Sequence, residues 1–391
     1  MKRRRWLQWG CAHCLWGAAA AGAQPASPFG TATPGAWSPP GRFIRPDLAT
    51  DEGGLWALMD REEQRIRRSP FRLRDEALSR YLSDIACSLA GDHCPDLRVY
   101  PMRVPHFNAS MAPNGMMQVW SGLLLRMENE AQLAAVIGHE IGHFLQRHSL
   151  ERLRDIKSRA AFGQFLGMLG VAGLAGQLVT LAGAFAFSRE HEREADRIGV
   201  ALMRKASYDL REAAKVWSNL LDEVRSNPAA DPSRHNVLFA THPPSDERRA
   251  ALDVLAAGST GEKHEERYRA RLAPWRFGLL EDELKRGQLH ESLTLIERML
   301  VREPGNAELL HFRGEARRQR NLEDDRALAL TDFEAAVATG QAPAESHRSL
   351  GYLHKAFDRP AAARQAWQQY LERAPLAADA ALIKQSLEEL R

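Results

Sequence analysis

"NEAQLAAVIGHEIGHFLQRHSLERLRDIKSR", residues 129–159, decides how the rest of the chain is read. Its apolar residues recur at three- and four-residue spacing, which predicts one long helix starting at Asn129. Asn129 is a capping residue, and Gln132 stands at the third helical position, from which its amide can reach back. His139 and His143 are four apart and project from one helical face. Two ligands of one tetrahedral Zn2+ require that arrangement. Glu140 stands beside them as a candidate general base. Gly138 and Gly142 leave room for a second element to approach closely.

A hydrolytic zinc site needs a third protein ligand and an open fourth position. "SREHEREADRIG", residues 188–199, offers two carboxylate pairs four residues apart, Glu192 with Asp196 and Glu190 with Glu194. Spacing alone does not choose between them. The same stretch also reads as a solvated face on which Arg189, Arg193 and Arg197 pair the acids.

Upstream, residues 54–69 and 75–90 carry helical periodicity. "LRVYPMRV" (97–104) and "MMQVWSG" (116–122) read as strands, the second reached through the turn "APNG". The chain opens with "MKRRR", a mostly apolar stretch and "AGA" before Gln24, which is the pattern of a signal peptide over 1–23. Residues 24–47 are rich in Pro, Gly, Ser and Ala and read as a flexible leader. Loss of the signal would leave Cys87 and Cys94. An exported compartment permits disulfides, so these two are expected to be bridged.

Residues 160–187 carry no charge. The run is long enough to span a bilayer. It is Gly/Ala-rich, however, and Gln164 and Gln177 interrupt it. A buried helical hairpin or a segment resting on a membrane surface is expected over insertion.

The C-terminal third repeats a helix, a turn, a helix and a proline, with Pro304, Pro343 and Pro375 closing successive units. It resembles the tetratricopeptide repeat (TPR), in which each unit buries its face on the next and leaves a concave surface for protein contacts. Gly314 and Gly351 fall where paired helices approach, and residues 380–391 read as a capping helix. The net charge of +3 and the lack of a basic, aromatic-laced stripe exclude a nucleic-acid reading.

"HEIGHFLQRH" (139–148) followed by "SREHEREAD" (188–196) resembles the HtpX/Oma-type gluzincins. "HFNASMAPNGMMQVWSGLL" (106–124) and "THPPSDERRAAL" (241–252) are similar to two further segments of that family. With the signal peptide and the repeats, the chain looks most like the periplasmic BepA-type protease/chaperones.

The resemblance implies Glu192 as third zinc ligand and Asp196 as a partner that orients a ligand histidine. It implies Arg248 as first candidate to stabilise the oxyanion, ahead of Arg249, and substrate added as a strand along Met116–Trp120. His242 becomes a fourth ligand that closes the site at rest, on a loop stiffened by Pro243 and Pro244. His148 fits the family pattern without a chemical role. Asn114 stands where the family has glycine, and asparagine tolerates a left-handed turn.

The expected architecture is α+β. Residues 48–258 form a mostly helical zincin-like metallopeptidase domain with a small sheet, and residues 270–391 an all-α TPR-like solenoid. The expected function is a periplasmic zinc metalloendopeptidase with one Zn2+. Its partners would be misfolded or unassembled envelope proteins and, through the repeats, the outer-membrane assembly machinery. Membrane-surface contact would run through 160–187. Two alternatives stand beside it: a chaperone or assembly factor with a latent site, and an integral membrane protease.

Overall fold

The computed structural model describes residues 37–158, 187–227, 242 and 246–390. The expected signal peptide, most of the expected leader, residues 160–186 of the uncharged run and the proline pair after His242 lie outside the described residues. No helix among the described residues is long and apolar enough to cross a membrane.

Helix α1 (Asp51–Arg68) starts where the Thr50 hydroxyl accepts from the Gly53 N–H. Acids occupy its first turn and arginines its last, which complements the helix dipole. Helix α2 (Glu76–Ala90) is capped by Asp75, and a 3-10 turn over Gly91–Asp96 follows it. Cys87 and Cys94 are bridged across that junction, as expected.

Strands β1 (Arg98–Met102), β2 (Ala109–Met111) and β3 (Met116–Trp120) form one sheet in the order β1-β3-β2. β3 pairs parallel with β1 and antiparallel with β2. It is therefore the central strand and has no free edge, which corrects the expectation that substrate adds along Met116–Trp120. The exposed edge belongs to β2, a three-residue strand the sequence pattern did not reveal. Gly115 takes the left-handed conformation of the β2–β3 turn, at φ 87°. Asn114 is not left-handed. Its side-chain amide instead donates to Asp60 and Glu63 of α1.

Helix α3 (Ser121–Arg126) leads to α4 (Glu130–Leu145), in which every residue but Ala135 is buried. The Asn129 side chain accepts from the Gln132 N–H, and the Gln132 side chain accepts from the Glu128 N–H. The long helix expected from Asn129 is two helices. Arg147 adopts φ 57°, and α5 (His148–Ser158) starts anew behind it. No glycine or proline announces this break. The Arg147 guanidinium lies over the Phe43 ring, 4.4 Å from its centroid, and also bonds Glu52.

Phe43 also corrects the reading of the leader. Its ring packs against His93 and Phe144, Arg42 pairs with Asp96, and the Pro40 carbonyl meets His93 Nε2 at 2.9 Å. Phe43 and the Arg42–Asp96 and Arg45–Asp60 pairs thus hold residues 40–45, whose composition promised no packing.

Helices α6 (Arg189–Lys205), α7 (Arg211–Arg225) and α8 (Asp246–Leu255) complete the surroundings of α4. Beyond them α9 (Glu265–Lys285), α10 (Leu289–Arg302), α11 (Ala307–Arg320), α12 (Asp325–Ala338), α13 (Ala344–Ala356), α14 (Pro360–Arg373) and α15 (Ala380–Glu389) pack consecutively. A Cβ on Gly314 would lie 2.9 Å from the Phe333 ring, and one on Gly351 would run into the Trp367 indole. Both glycines therefore mark the close helix approaches the repeat pattern predicts. Buried Arg126 ties the two regions together through Glu223 of α7 and Glu283 of α9.

Candidate metal centre

The site begins with a seam of small residues. A Cβ on Gly142 would lie 3.0 Å from the Ala195 carbonyl oxygen, and one on Gly199 would lie 3.0 Å from the His139 nitrogen. Helices α4 and α6 therefore nearly touch backbone to backbone. That contact brings Glu192, one turn before Ala195, opposite His139 and His143. The Ser188 hydroxyl accepts from the His191 N–H and fixes the start of α6 one turn ahead of the ligand.

His139, His143, Glu192 and His242 are all buried, and one ligand atom from each lies within 4.8 Å of the others. His139 Nε2 is 3.1 Å from His143 Nε2 and 3.3 Å from His242 Nδ1. Glu192 Oε1 is 2.8 Å from His242 Nδ1 and 3.4 Å from His143 Nε2. Ligands of a tetrahedral zinc, each about 2.0–2.1 Å from the metal, stand about 3.3 Å apart. His139 Nδ1 meets Asp196 at 2.9 Å, so it carries the proton and leaves a lone pair on Nε2 aimed at the other ligand atoms. Facing lone pairs repel one another, and a cation between them removes that repulsion. The donor set fits zinc.

Hydrogen-bond pairing extends outward from each ligand. His143 Nδ1 lies 2.8 Å from His148 Nδ1, and His148 Nε2 faces Glu194 at 3.4 Å. His148, given no chemical role by its place in the motif, thus orients a ligand. Phe187 stacks on the His143 ring at 4.0 Å, and His191 stacks on His148 at 4.2 Å. Sequence spacing gave no signal for either contact.

Arg248 is buried beside Asp196 and Glu192. Its Nε and Nη2 donate to the two Asp196 oxygens, its Nη1 lies 2.6 Å from Glu192 Oε2, and its guanidinium covers the Trp217 ring. It braces the carboxylates behind the site. Arg249 pairs at the surface with Asp253. Glu190 is exposed. Glu194 serves His148 and Gln146 and does not join the metal cluster.

Environment sets the charges. Burial drives His143 well below the usual imidazole value, into the neutral form a ligand needs. Burial alone would raise Glu192, but His242, His143 and Arg248 hold it well below the carboxylate range. Asp196 is likewise held at about 2, because Arg248 and His139 outweigh its burial. Burial dominates at Glu140 and pushes its carboxyl up. Burial would lower His242, yet Glu192 and Glu140 raise it.

A model of peptidase family M48 matches residues 72–256, the span that holds the cluster, Glu140 and the sheet. Residues 72–256 belong to peptidase family M48. The chain is 28% identical to the beta-barrel assembly-enhancing protease of Escherichia coli (strain K12) over 228 residues, 52% of this chain and 45% of that protein. It is 29% identical to the protein of that name from Yersinia pestis over 231 residues, 54% of this chain and 46% of the relative. The mitochondrial metalloendopeptidase OMA1 of Arabidopsis thaliana is 36% identical over 116 residues, 30% of this chain and 24% of the relative. The alignments thus span less than half the length of these relatives. Within the M48 domain, α4 supplies both histidines, α6 the carboxylate, and the segment before α8 the third imidazole. Helix α1 precedes the matched residues.

Proposed function

We propose that the M48 domain is a zinc-dependent endopeptidase of the periplasm that acts on unassembled envelope proteins. His139, His143 and Glu192 would hold the metal, with His242 as a displaceable fourth ligand. The observation that carries this reading is the convergence of four buried ligand atoms beside Glu140. Bound zinc supplies Lewis acidity toward a peptide carbonyl and makes water a stronger acid.

This chain's residues do the rest. The Met111 N–H bonds the Glu140 carboxylate, while Glu140 Oε1 is buried without a hydrogen-bond partner. Glu140 is therefore fixed and has an oxygen available to take a proton and deliver it to the leaving amine. Asn108 and Ala112 bond across to β3. Antiparallel alternation then turns the backbone groups of Ala109 and Met111 outward. Substrate would pair with that edge of β2, beside Glu140, as an added strand.

His242 lies 2.8 Å from Glu192 and 3.6 Å from Glu140 Oε1, so its ring fills the space in front of the general base. We read this as a closed resting state, which substrate must open. It also favours a second reading, a chaperone or assembly factor whose peptidase is mostly latent. The consecutive C-terminal helices, read as TPR-like repeats, would hold clients or an assembly complex in either case. The relatives' printed name, the basic and apolar start of the chain and the disulfide support an envelope location.

Glu140→Gln separates the readings. Loss of function in cells together with loss of chelator-sensitive cleavage supports the peptidase. Full complementation by this variant favours the chaperone. His242→Ala is expected to raise proteolysis, including self-cleavage; unchanged or lower activity counts against the plug.

A further inference from the structure

A cleft of about 110 Å³, open to solvent at its mouth, runs from the metal centre to the underside of α1. Its inner end is formed by Glu140, His242 and Phe187. Its walls are Met59 and Ile66 of α1, Met116, Gln118 and Trp120 of β3, and Ser110 of β2. The register explains the grouping. Met116, Gln118 and Trp120 alternate onto one face of β3, and Ser110 sits beside Gln118 on the same face. The α1 helix covers that face, with Ile66 packed among Met116, Trp120 and Tyr100. The cleft is what remains between helix and sheet at the β2 edge.

We infer that this cleft is a specificity pocket for one large uncharged side chain flanking the scissile bond, with Met59 and Met116 setting its depth. The inference rests on the endopeptidase reading above and names the substrate class for it. Three observations carry it. First, the cleft is continuous with Glu140 and with the β2 edge, where the backbone of Ala109 and the carbonyl of Met111 face outward, so a strand on that edge would direct a side chain into it. Second, Met59, Ile66, Met116 and Trp120 make most of the wall apolar, and Glu62 at the rim already pairs with Arg65 at 2.6 Å. A charged side chain would lose its water along that wall without gaining an unpaired counter-charge. Third, Gln118 Oε1 and Trp120 Nε1 are buried without hydrogen-bond partners. They offer one acceptor and one donor to a polypeptide entering the cleft.

Methionine walls adapt to varied apolar shapes. Such a pocket takes the residues that a folded protein buries, so it reads unfolded or unassembled chains without reading a sequence. The wall from α1 also lies outside the matched residues 72–256, so selectivity depends on a helix outside the family match.

The test has a binding arm and a cleavage arm. Zinc-loaded Glu140→Gln protein is titrated with labelled Gly/Ser decapeptides carrying one central Phe, Ala or Glu, read by fluorescence anisotropy. The Phe peptide is expected to bind at least tenfold tighter than the other two. Met59→Phe in the same background should erase that advantage, and Met59→Ala should retain it and extend it to Trp. Equal affinity for the three peptides, or a Phe advantage untouched by Met59→Phe, overturns the pocket. In the second arm, cut sites in β-casein are mapped by mass spectrometry for wild type and Met59→Ala. A shift toward bulkier residues at one position beside the cut supports the pocket, and an unbiased or unshifted distribution overturns it. Absence of all chelator-sensitive cleavage would strike the endopeptidase reading instead, and the anisotropy would still decide the pocket.

Discussion

The Nδ1 atoms of His143 and His148 lie 2.8 Å apart, the first on the metal-binding helix and the second just beyond its break. Two such nitrogens bond only if one carries hydrogen. His143 needs its Nε2 lone pair for a metal, so its Nδ1–H donates and His148 accepts. His148→Ala is expected to lower zinc affinity about 10–100-fold, the usual cost of losing such a partner. His148→Gln, which keeps an acceptor, should recover part of it. Competition with a chromogenic chelator measures both; equal affinity in all three proteins would remove His148 from the site.

Asp196 holds both His139 and Arg248. Asp196→Asn keeps the shape but loses the charge that pairs the buried guanidinium. Zinc affinity should fall by at least tenfold and thermal stability with it, since breaking a buried pair costs about 3–5 kcal/mol. Calorimetry with and without zinc checks both effects. An unchanged melting temperature would mean that Arg248 finds its compensation elsewhere.

Acid should loosen the joint between the M48 domain and the C-terminal helices. Burial opposes ionisation of Glu283, but Arg126 and Arg286 outweigh it and hold the carboxyl at about 2. The unfolded value is about 4.3. A carboxyl depressed on folding stabilises above its unfolded pKa and loses that contribution as pH falls through the folded one. Stability should thus decline between about pH 4.5 and 2, by on the order of 3 kcal/mol from this group. Melting curves of wild type and Glu283→Gln across that range provide the test, with a shallower pH slope expected for the variant.

The disulfide joins Cys87 at the end of α2 to Cys94 in the following 3-10 turn. Replacing both cysteines by serine should cost about 2–3 kcal/mol, as expected for a short loop. The measure is the urea midpoint, compared with that of the wild type under reductant. A variant as stable as the oxidised protein would show that the surrounding packing suffices.

Gly142→Val would press a branched side chain into the Ala195 backbone, and overpacking of this kind costs about 1–3 kcal/mol. Gly142→Ala asks for a shift of only a few tenths of an ångström. Zinc content after dialysis should fall in the order wild type, Ala, Val. An unchanged series would mean that α4 and α6 are free to separate.

The HExxH helix was legible in sequence because its ligands repeat with the helix itself, and Gly138 and Gly142 announced the close neighbour. Cys87–Cys94 and the glycines at 314 and 351 were legible for similarly local reasons. The third ligand was not legible from spacing, by which Glu192 and Glu190 are equivalent; the family resemblance pointed to Glu192, and the crossing of α4 with α6 is the physical reason. Strand β2 is three residues long, too short for alternation to register. The break at Arg147 follows from Phe43 and Glu52, about 100 residues earlier in the chain, and its own residues carry no stop signal. Arg248 was placed by motif position, whereas its partners are set by the packing of α8 on α6 and α7.

The seam at Gly138, Gly142, Ala195 and Gly199 bears on descent as well as on packing. A lineage can keep every ligand and still loosen its hold on the metal by gaining a branched side chain at one of these four positions. A dead descendant of this protein would therefore betray itself first in its small residues, while its histidines still read as those of an enzyme.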